Sequence, residues 1–363
     1  MSQENFLEKK LQERKAVQAF RTLRLPDGKT DLCSNDYLGI IHNGLLETTE
    51  TPWLKHGSGG SRLLAGNDAL TESTEQLIAR FHQSFAALLY NSGYDANIGL
   101  FSCVPQRGDT IIYDYLSHAS IRDGIRLSFA QSFSFRHNDL EDLEKRLQSA
   151  TGNIFVATES VFSMDGDMAP LREMAALCEK YQAHLIVDEA HATGVVGEQG
   201  EGLVQQLNLQ HRVFARVHTF GKAVGCHGAV VLGSTLLRDY LINFSRAFIY
   251  TTALPQSSVR AIRDAYALFP KMVSEREWLK WLIRMFRQGK VKYEKLISDT
   301  PIQVVIIPGN EAVKAVAASL QAAGLDVRPI MYPTVPKGSE RLRIVLHAFN
   351  TEKEVKQLLD LLQ

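Results

Sequence analysis

The chain has 363 residues, which is long enough for a large domain and a smaller one, each with its own hydrophobic core. Lys plus Arg and Asp plus Glu both total 40, so no excess of positive charge favours binding to nucleic acid or to an anionic membrane. Hydrophobic residues make up 45% of the chain. No apolar run approaches the roughly 18 residues of a membrane span, and these properties predict a soluble globular protein.

The cysteines and the N-terminus bear on the cellular compartment. Cys33, Cys103, Cys178 and Cys226 are scattered and form no CxxC pair, which is typical of reduced thiols in a cytosolic protein. The first six residues, MSQENF, lack the apolar core of a signal peptide. We therefore expect a cytoplasmic location.

The N-terminal part of the chain contains a predicted helix and a glycine-rich loop. Apolar residues between Phe6 and Phe20 have the spacing of an amphipathic helix that reaches to about Arg21. Leu32–Gly39 reads as a short strand that runs into a loop. Gly57–Asn67 is too rich in glycine for regular structure. Glycine lets backbone approach a ligand or another chain closely, because it has no side chain, although a flexible linker is the alternative.

Strand and helix patterns alternate through the middle of the chain. The predicted strands are 86–91, 110–113, 132–135, 154–158, 185–188, 216–219 and 229–232, and the predicted helices include 70–85, 139–147 and 170–181. This alternation predicts an α/β domain with a mostly parallel sheet that is covered by helices on both faces. Ligands of such sheets bind outside the carboxyl ends of the strands, where Asp188 and Thr219 lie.

The pattern changes after Pro255. A long helical region, 256–298, is followed by strands at 303–307, 325–330 and 341–346 and by helices at 311–323 and 351–362. We read this as a smaller C-terminal α+β domain. The predicted organisation is an N-terminal arm (1–34) packed on the small domain, a large domain (35–255), and linker helices with the small domain (256–363).

Two other functions are disfavoured by spacing. The box Asp188–His191 (DEAH) occurs in ATP-driven helicases, but those enzymes also need G-x-x-x-x-G-K-[ST]. Gly28–Thr30 is preceded by Leu23 where glycine is required, and Gly221–Ala223 lacks the final hydroxyl. A zinc site at the same box has neither H-E-x-x-H nor paired-cysteine spacing.

The chain does supply what pyridoxal phosphate requires. That cofactor needs an amine, and Lys222 is offered after a strand, while Asp188 can serve as the carboxylate beside the pyridine nitrogen. The predicted helix start at Gly93–Tyr94 and the hydroxyl of Thr219 can hold a phosphate. His191 can hydrogen-bond the phenolic oxygen. Taken singly, each residue also has an ordinary explanation, as a surface lysine, a helix cap or a loop histidine.

Motifs that bear chemistry recur in order along nearly the whole chain. They are Ser34–Gly39 (SNDYLG), Gly57–Asn67 (GSGGSRLLAGN), Leu116–Ser120 (LSHAS), Glu159–Asp167 (ESVFSMDGD), Val187–His191 (VDEAH) and Thr219–Lys222 (TFGK). Together they resemble the α-oxoamine synthase family of pyridoxal-phosphate enzymes. The resemblance implies fold type I, the aspartate-aminotransferase fold, with a large domain around a mostly parallel sheet and a small α+β domain.

The resemblance also implies roles for individual residues. Lys222 would bind the cofactor covalently and shuttle the α-proton of the amino acid, Asp188 would pair with the pyridine nitrogen, and His118 would stack on the ring. The implied cofactor-binding residues are Gly93, Tyr94, His118, Ser163, Asp188, His191, Thr219, Lys222, Thr251 and Thr252, and one of the two last threonines would reach the phosphate of a neighbouring subunit. The implied substrate residues are Arg21, Asn35, His118, Arg328 and Thr334, with Arg328 as the clamp on the amino-acid carboxylate.

The implied reaction is a decarboxylative Claisen condensation of an amino acid with an acyl thioester. Members of the family are homodimers with the active site at the subunit interface, and the acyl group can be carried by coenzyme A or by an acyl-carrier protein. The loop Gly57–Asn67 and the segment Leu346–Asn350 favour the branch that joins L-alanine to a pimeloyl thioester in biotin synthesis. The alternatives are 2-amino-3-ketobutyrate ligase and 5-aminolevulinate synthase, which use glycine, and serine palmitoyltransferase. A non-catalytic relative that acts as a partner subunit would be expected to lack Lys222.

Overall fold

The computed structural model describes residues 4–23, 25, 27–46 and 54–363, and these divide into two compact units. The larger unit comprises Leu38–Ser163 and Met168–Arg276. The smaller unit comprises the residues up to Tyr37, the short segment Met164–Asp167, and Glu277–Gln363. The first of the predicted linker helices therefore belongs to the larger unit.

The helices and strands follow the predicted order. The strands are β1 (Thr30–Asp31), β2 (Ala86–Tyr90), β3 (Thr110–Asp114), β4 (Gln131–Phe135), β5 (Ile154–Glu159), β6 (His184–Asp188), β7 (Ala215–Thr219), β8 (Ala229–Gly233), β9 (Glu294–Lys295), β10 (Ile302–Ile306), β11 (Leu325–Asp326), β12 (Arg328–Ile330) and β13 (Arg341–Val345). The helices are α1 (Asn5–Ala16), α2 (Ala69–Phe81), α3 (Gly93–Cys103), α4 (Ala119–Leu127), α5 (Leu140–Ser149), α6 (Leu171–Lys180), α7 (Leu203–Gln206), α8 (Thr235–Phe244), α9 (Arg246–Ile249), α10 (Gln256–Leu268), α11 (Val273–Gln288), α12 (Asn310–Ala322) and α13 (Glu352–Leu361).

The described residues of the larger unit form a seven-stranded sheet in the order β2-β8-β7-β6-β5-β3-β4. The pairs from β4 to β7 are parallel, and β8 runs antiparallel to both of its neighbours. The central strands are almost wholly buried because helices cover both faces, whereas the edge strand β4 is mostly exposed. The mostly parallel sheet predicted from the alternating pattern is therefore present.

The core on one face of this sheet packs against α3, α4, α8 and α9. It is built from residues that alternate along the strands, such as Ala157, Ile186 and Val217, together with Leu100 and Ile125 from the helices. Since side chains alternate across a strand, the last residues of β5, β6 and β7 point to this same face. The packing of α3 and α4 thus determines what these strand ends can contact.

The smaller unit contains an antiparallel sheet in the order β12-β13-β10-β9 and a parallel pair, β1 and β11. Its last helix, α13, begins with a capping box in which Thr351 and Glu354 each satisfy the other's backbone N–H. The C-terminal α+β layer expected from the sequence is present.

Three predicted elements differ in extent. The N-terminal helix ends at Ala16, and none of its residues, all of which are described, is buried; Gln18 has a φ of 55°, which is incompatible with a continuing helix. The segment expected to be a strand from Leu32 contains no strand, because β1 ends at Asp31 and the chain then bends and turns. The long helical region from residue 256 is interrupted at Pro270, because proline has no N–H to donate a helical hydrogen bond. The second helix of this region ends at Gln288.

The structure also bears on the cysteines and on membrane-spanning helices. All four cysteines are free thiols. Among the helices of the described residues, none combines the length and the apolar character needed to cross a bilayer.

The glycine-rich loop has a defined conformation in the larger unit. Gly60 accepts a hydrogen bond from the N–H of Ala253 at 2.9 Å. A side chain at Gly66 would collide with the carbonyl of Gly60 and with Ala253. Glycine at position 66 therefore allows two backbone segments to come into direct contact, and the alternative of a flexible linker does not describe this loop.

One arginine of this loop anchors it to the body of the larger unit. Arg62 forms a bidentate pair with the carboxylate of Glu75, at 2.8 and 3.3 Å, and also donates to Asn67 at 2.8 Å. The side chains of Arg62 and Glu75 are 10% and 3% exposed. The Glu75 carboxylate further accepts the N–H of Leu89 at 2.9 Å. Removal of the arginine would leave a buried carboxylate that has lost its main counter-charge.

We expect Arg62→Met to lower the free energy of unfolding by about 3 kcal/mol, because breaking one side of a buried ion pair leaves an uncompensated charge. Arg238, at 3.4 Å from Glu75, limits the loss. Urea unfolding followed by circular dichroism measures the change. The matched control is Arg212→Met, which removes an exposed bidentate pair with Glu179 and should leave the unfolding midpoint nearly unchanged. Equal effects of the two substitutions would contradict the anchoring role of Arg62.

Candidate active site

The predicted site residues of the larger unit gather at one edge of its sheet. Six of its strands, β2 to β7, run in the same direction, so their carboxyl ends lie at the same edge. The segments that follow β2, β3, β5, β6 and β7 carry Gly93, His118, Ser163, His191 and Lys222, and Gly93 is the first residue of α3. Such an edge is where open α/β sheets bind ligands.

Asp188 is the last residue of β6 and is 5% exposed. One of its carboxylate oxygens, Oδ1, accepts the N–H of Ala190 at 2.9 Å. The other, Oδ2, accepts a hydrogen bond from Nδ2 of Asn97 at 2.7 Å. These two donors hold the carboxylate in one orientation at the strand end, which suits a group that must present a fixed negative charge to a ligand.

Lys222 follows β7 and meets the start of α3. Its Nζ donates to Oγ1 of Thr219 at 3.3 Å. A side chain at Gly93 would collide with the methyl group of Thr219, so glycine is required there for β7 and the helix start to approach each other. Ser92 caps α3 by accepting the N–H of Asp95 at 3.1 Å, whereas the N–H groups of Gly93 and Tyr94 precede the first hydrogen bond within the helix. The structure thus places an amine, a hydroxyl and a helix N-terminus side by side.

His118 caps the N-terminus of α4 and is linked to a buried glutamate. Its backbone N–H donates to Oε1 of Glu159 at 2.6 Å. Glu159 ends β5 directly beside Asp188, which ends β6 in register with it. Burial, and then the adjacent charge of Asp188, raise the pKa of Glu159 well above its ordinary value. Both causes therefore favour the protonated form of Glu159 beside Asp188.

The imidazole of His118 lies within electrostatic range of two other predicted site residues. Burial lowers its pKa, the charge of Asp188 opposes that shift, and the charge of Lys222 adds to it. The histidine, the aspartate and the lysine, which the sequence could only order along the chain, are therefore brought together in the larger unit. The neutral form of the ring is favoured at neutral pH.

The remaining predicted cofactor residues lie on the same unit. Tyr94 donates its hydroxyl proton to Asp123 at 2.7 Å, and its ring is half exposed. Ser163 and His191 lie in the loops after β5 and β6, with His191 buried. Nδ2 of Asn91 donates to Oγ1 of Thr251 at 3.1 Å and to the carbonyl of Thr252 at 2.8 Å. Asn91 therefore ties the segment of the two threonines to the loop before α3.

The predicted substrate residues other than His118 lie in the smaller unit. Arg21 donates to Oγ1 of Thr334 at 3.5 Å. Oδ1 of Asn35 accepts hydrogen bonds from Arg343 at 3.0 Å and from the hydroxyl of Tyr37 at 3.1 Å. The first contact joins two members of the predicted substrate set, whereas the partners of Asn35 lie outside that set.

Arg328 has a carboxylate partner of its own. Its guanidinium donates to Asp326 at 2.6 Å, and both side chains are partly exposed. A substrate carboxylate at Arg328 would have to share this arginine with Asp326. The contact lowers the positive potential that Arg328 offers, while Arg343 lies next to Asn35.

Sequence reasoning missed four residues that contact the predicted site: Asn97, Ser120, Glu159 and Arg343. A signal for Asn97 existed, because it lies one helical turn after Gly93 on the helix that was expected to begin there. Glu159 was inside a quoted motif, but its proximity to Asp188 depends on the register of β5 and β6. That register cannot be read from either strand alone.

The fold and this edge of the sheet define a member of a known family. The family described as aminotransferase class I and II matches residues 27–362, and the chain belongs to it. The 8-amino-7-oxononanoate synthase of Emericella nidulans is 43% identical, covering 93% of this chain and 89% of the relative. The 8-amino-7-oxononanoate synthase of Marinobacter nauticus is 40% identical, covering 97% and 94% of the two chains.

Solved structures agree with this assignment. A serine palmitoyltransferase from Sphingomonas wittichii superposes with a TM-score of 0.89 at 29% identity, covering 100% of this chain and 97% of the other. An 8-amino-7-oxononanoate synthase from Francisella tularensis superposes with a TM-score of 0.76 at 28% identity, covering 93% and 97%. The fold class and the family predicted from the ordered motifs are confirmed.

Proposed function

We propose that this chain is a pyridoxal-phosphate-dependent acyltransferase that condenses L-alanine with a pimeloyl thioester to form 8-amino-7-oxononanoate, a step of biotin biosynthesis. The observation that carries the proposal is its 43% identity over 93% of the chain to a relative named for that product. The arrangement of Asp188, His118 and Lys222 at one sheet edge supports it, because each supplies a group that this chemistry needs.

The residues at the sheet edge fit pyridoxal phosphate. Lys222 offers the amine for covalent attachment, and the oriented carboxylate of Asp188 suits a protonated pyridine nitrogen. The N-terminus of α3, kept open by Gly93, and the hydroxyl of Thr219 suit the phosphate. When bound, the cofactor acts as an electron sink that stabilises negative charge on the α-carbon of the amino acid.

The residues of the chain would then divide the remaining tasks. Nζ of Lys222 would take the α-proton of the amino acid and later return a proton to the product. The negative charge of Asp188 would keep a proton on the ring nitrogen, and the raised pKa of Glu159, caused first by burial, favours a protonated carboxyl group beside it. His118 would cover the ring face, and His191 and Ser163 would contact the phenolic oxygen.

The amino-acid carboxylate needs a cation, and we propose an arginine of the smaller unit. Arg328 remains the candidate from the sequence, and it would exchange its contact with Asp326 for the substrate. Arg343 is the second candidate, since it contacts Asn35, which is itself a predicted substrate residue. Arg21 and Thr334 would line the acyl-thioester side.

We also propose that the active enzyme is a homodimer in which Thr251 or Thr252 reaches the cofactor phosphate of the partner. The hydroxyl of Thr251 already accepts a hydrogen bond from Asn91 within its own chain. Thr252 is exposed and contributes its carbonyl to Asn91, which supports Thr252 as the residue with a hydroxyl available to a second chain. The four free cysteines suit a reducing compartment, such as the cytoplasm.

A direct assay tests the substrate assignment. Purified enzyme is incubated with L-alanine, glycine or L-serine and with pimeloyl, acetyl, succinyl or palmitoyl thioesters, and thiol release is followed. We expect the highest kcat/KM with L-alanine and a pimeloyl thioester, at least about ten-fold above glycine, because one methyl group in a fitted pocket is worth that much. Parallel assays with the coenzyme A ester and the carrier-protein ester identify the acyl carrier.

Serine palmitoyltransferase is the second candidate, and the TM-score of 0.89 to such an enzyme favours it. Its identity to this chain is 29%, against 43% for the 8-amino-7-oxononanoate synthase, and we therefore rank it lower. Turnover confined to L-serine with palmitoyl thioester would establish this second function and refute the first. Turnover confined to glycine with succinyl or acetyl thioester would refute both.

A further inference from the structure

A chain of three hydrogen bonds joins Asp188 to the imidazole of His118 through the side chains of Asn97 and Ser120. Nδ2 of Asn97 lies 2.7 Å from Oδ2 of Asp188 and 2.9 Å from Oγ of Ser120. Oγ of Ser120 lies 2.8 Å from Nδ1 of His118. Asn97 and Ser120 are each 1% exposed, so water does not compete for these bonds.

The charge of Asp188 determines the direction of every bond in this chain. A carboxylate can only accept, so Asn97 must turn its NH₂ group toward it, since the amide oxygen would be repelled. The same NH₂ group supplies its second proton to Oγ of Ser120. The hydroxyl proton of Ser120 is then left to be donated to Nδ1 of His118.

A second donor acts on the same ring nitrogen. The N–H of Ser120 points to Nδ1 of His118 at 3.2 Å. Two donors on one ring nitrogen require that nitrogen to carry the lone pair. A neutral imidazole with a lone pair on Nδ1 has its proton on Nε2.

The side-chain oxygen of Asn97 makes no hydrogen bond within the described part of the chain. This atom, Oδ1, is buried. A buried amide oxygen without a partner is unfavourable. The amide keeps this orientation because its NH₂ group donates to both Asp188 and Ser120. This is the behaviour expected of a group held for what its NH₂ donates.

We propose that Asn97 and Ser120 are positioning residues that transmit the negative charge of Asp188 to His118 and hold its ring as the Nε2–H tautomer. His118 then presents a hydrogen-bond donor, from Nε2, to an acceptor oxygen of the substrate. The same aspartate would serve the ring nitrogen of the cofactor and the tautomer of the histidine. The part that concerns ligands rests on the proposed function; the part that concerns the tautomer does not.

The position of the ring proton can be observed directly. Neutron diffraction from deuterated crystals of the full chain, with and without pyridoxal phosphate, locates deuterium on Nδ1 or Nε2 of His118. Nitrogen-15 NMR of histidine-labelled protein gives the tautomer ratio in solution, and His118→Gln assigns the signal. We expect deuterium on Nε2 and on Oγ of Ser120, with the latter pointing to Nδ1.

Two substitutions interrupt the chain at different points. In Asn97→Leu, Oγ of Ser120 no longer accepts a hydrogen bond from the amide. It is then able to accept a hydrogen bond from a protonated Nδ1 of His118. In Ser120→Ala, Nδ1 loses one of its two donors. We expect each to shift the tautomer ratio toward Nδ1–H by about ten-fold, the equivalent of one hydrogen bond to a charged or polarised partner. Ser149→Ala, which removes an exposed helix hydroxyl, is the control and should leave the ratio unchanged.

The outcomes separate this inference from the proposed function. A proton on Nδ1 in the unsubstituted chain would overturn the inference, and so would unchanged ratios in folded variants; if Asn97→Leu does not fold, Ser120→Ala decides. Titration with pyridoxal phosphate gives the second readout, because a less constrained Asp188 in Asn97→Leu should raise the dissociation constant of the cofactor about ten-fold. If the unsubstituted chain does not bind the cofactor, the proposed function fails while the tautomer result still stands.

Discussion

Substitution of Lys222 by alanine is expected to abolish the condensation, with a loss of kcat on the order of 10⁴-fold or more. In the proposed mechanism the lysine would supply two functions, a covalent attachment point and a positioned proton acceptor, and neither Thr219 nor any hydroxyl can replace an amine in both. Thiol release with L-alanine and pimeloyl thioester measures the loss. Borohydride treatment followed by mass spectrometry should fix the cofactor on the unsubstituted chain and leave the variant unmodified.

Lys145→Ala is the matched control, because that lysine is exposed on α5, away from the sheet edge. It should keep full activity and be labelled by borohydride like the unsubstituted chain. Labelling of Lys222→Ala at another lysine, with activity retained, would show that the cofactor is attached elsewhere. Circular dichroism should show the same fold for both variants.

The second large effect is expected from Asp188→Asn, with a loss of kcat on the order of 10³-fold. The change preserves shape but removes the charge that would hold a proton on the ring nitrogen, and it places an amide against the NH₂ group of Asn97. The cofactor should also bind more weakly. Steady-state kinetics measures the first effect, and a titration followed by absorbance measures the second.

Removal of the Asp188 charge should act on its neighbour as well. The charge of Asp188 is the second cause, after burial, of the raised pKa of Glu159, so the pKa of Glu159 should fall in the variant. Infrared difference spectra of the carboxyl region can follow this shift. Asp360→Asn, an exposed substitution on α13, is the control and should change neither activity nor spectrum. Full activity in Asp188→Asn would refute the role proposed for this carboxylate.

Much of the fold was predictable because its periodic patterns are local. The alternation of buried strands such as β5, β6 and β7 with helices predicts a mostly parallel sheet, and strand ends in such a sheet carry ligands. Element boundaries were less predictable. The helix from Asn5 ends early where Gln18 adopts a positive φ, and residues 256–288 form two helices separated by Pro270. These interruptions depend on single residues and their surroundings.

The order of motifs along the chain determined the family and the cofactor and predicted the lysine, because Lys222, Asp188 and His118 are recognisable by type and sequence. What the tertiary structure decided is how they are held. Parallel register sets Glu159 beside Asp188, and the packing of α3 against the sheet brings Asn97 to the same carboxylate. Burial then perturbs the pKa values of Glu159 and His118. Hydrogen-bond direction and desolvation are properties of groups in contact, and contacts between distant segments exist only in the folded chain.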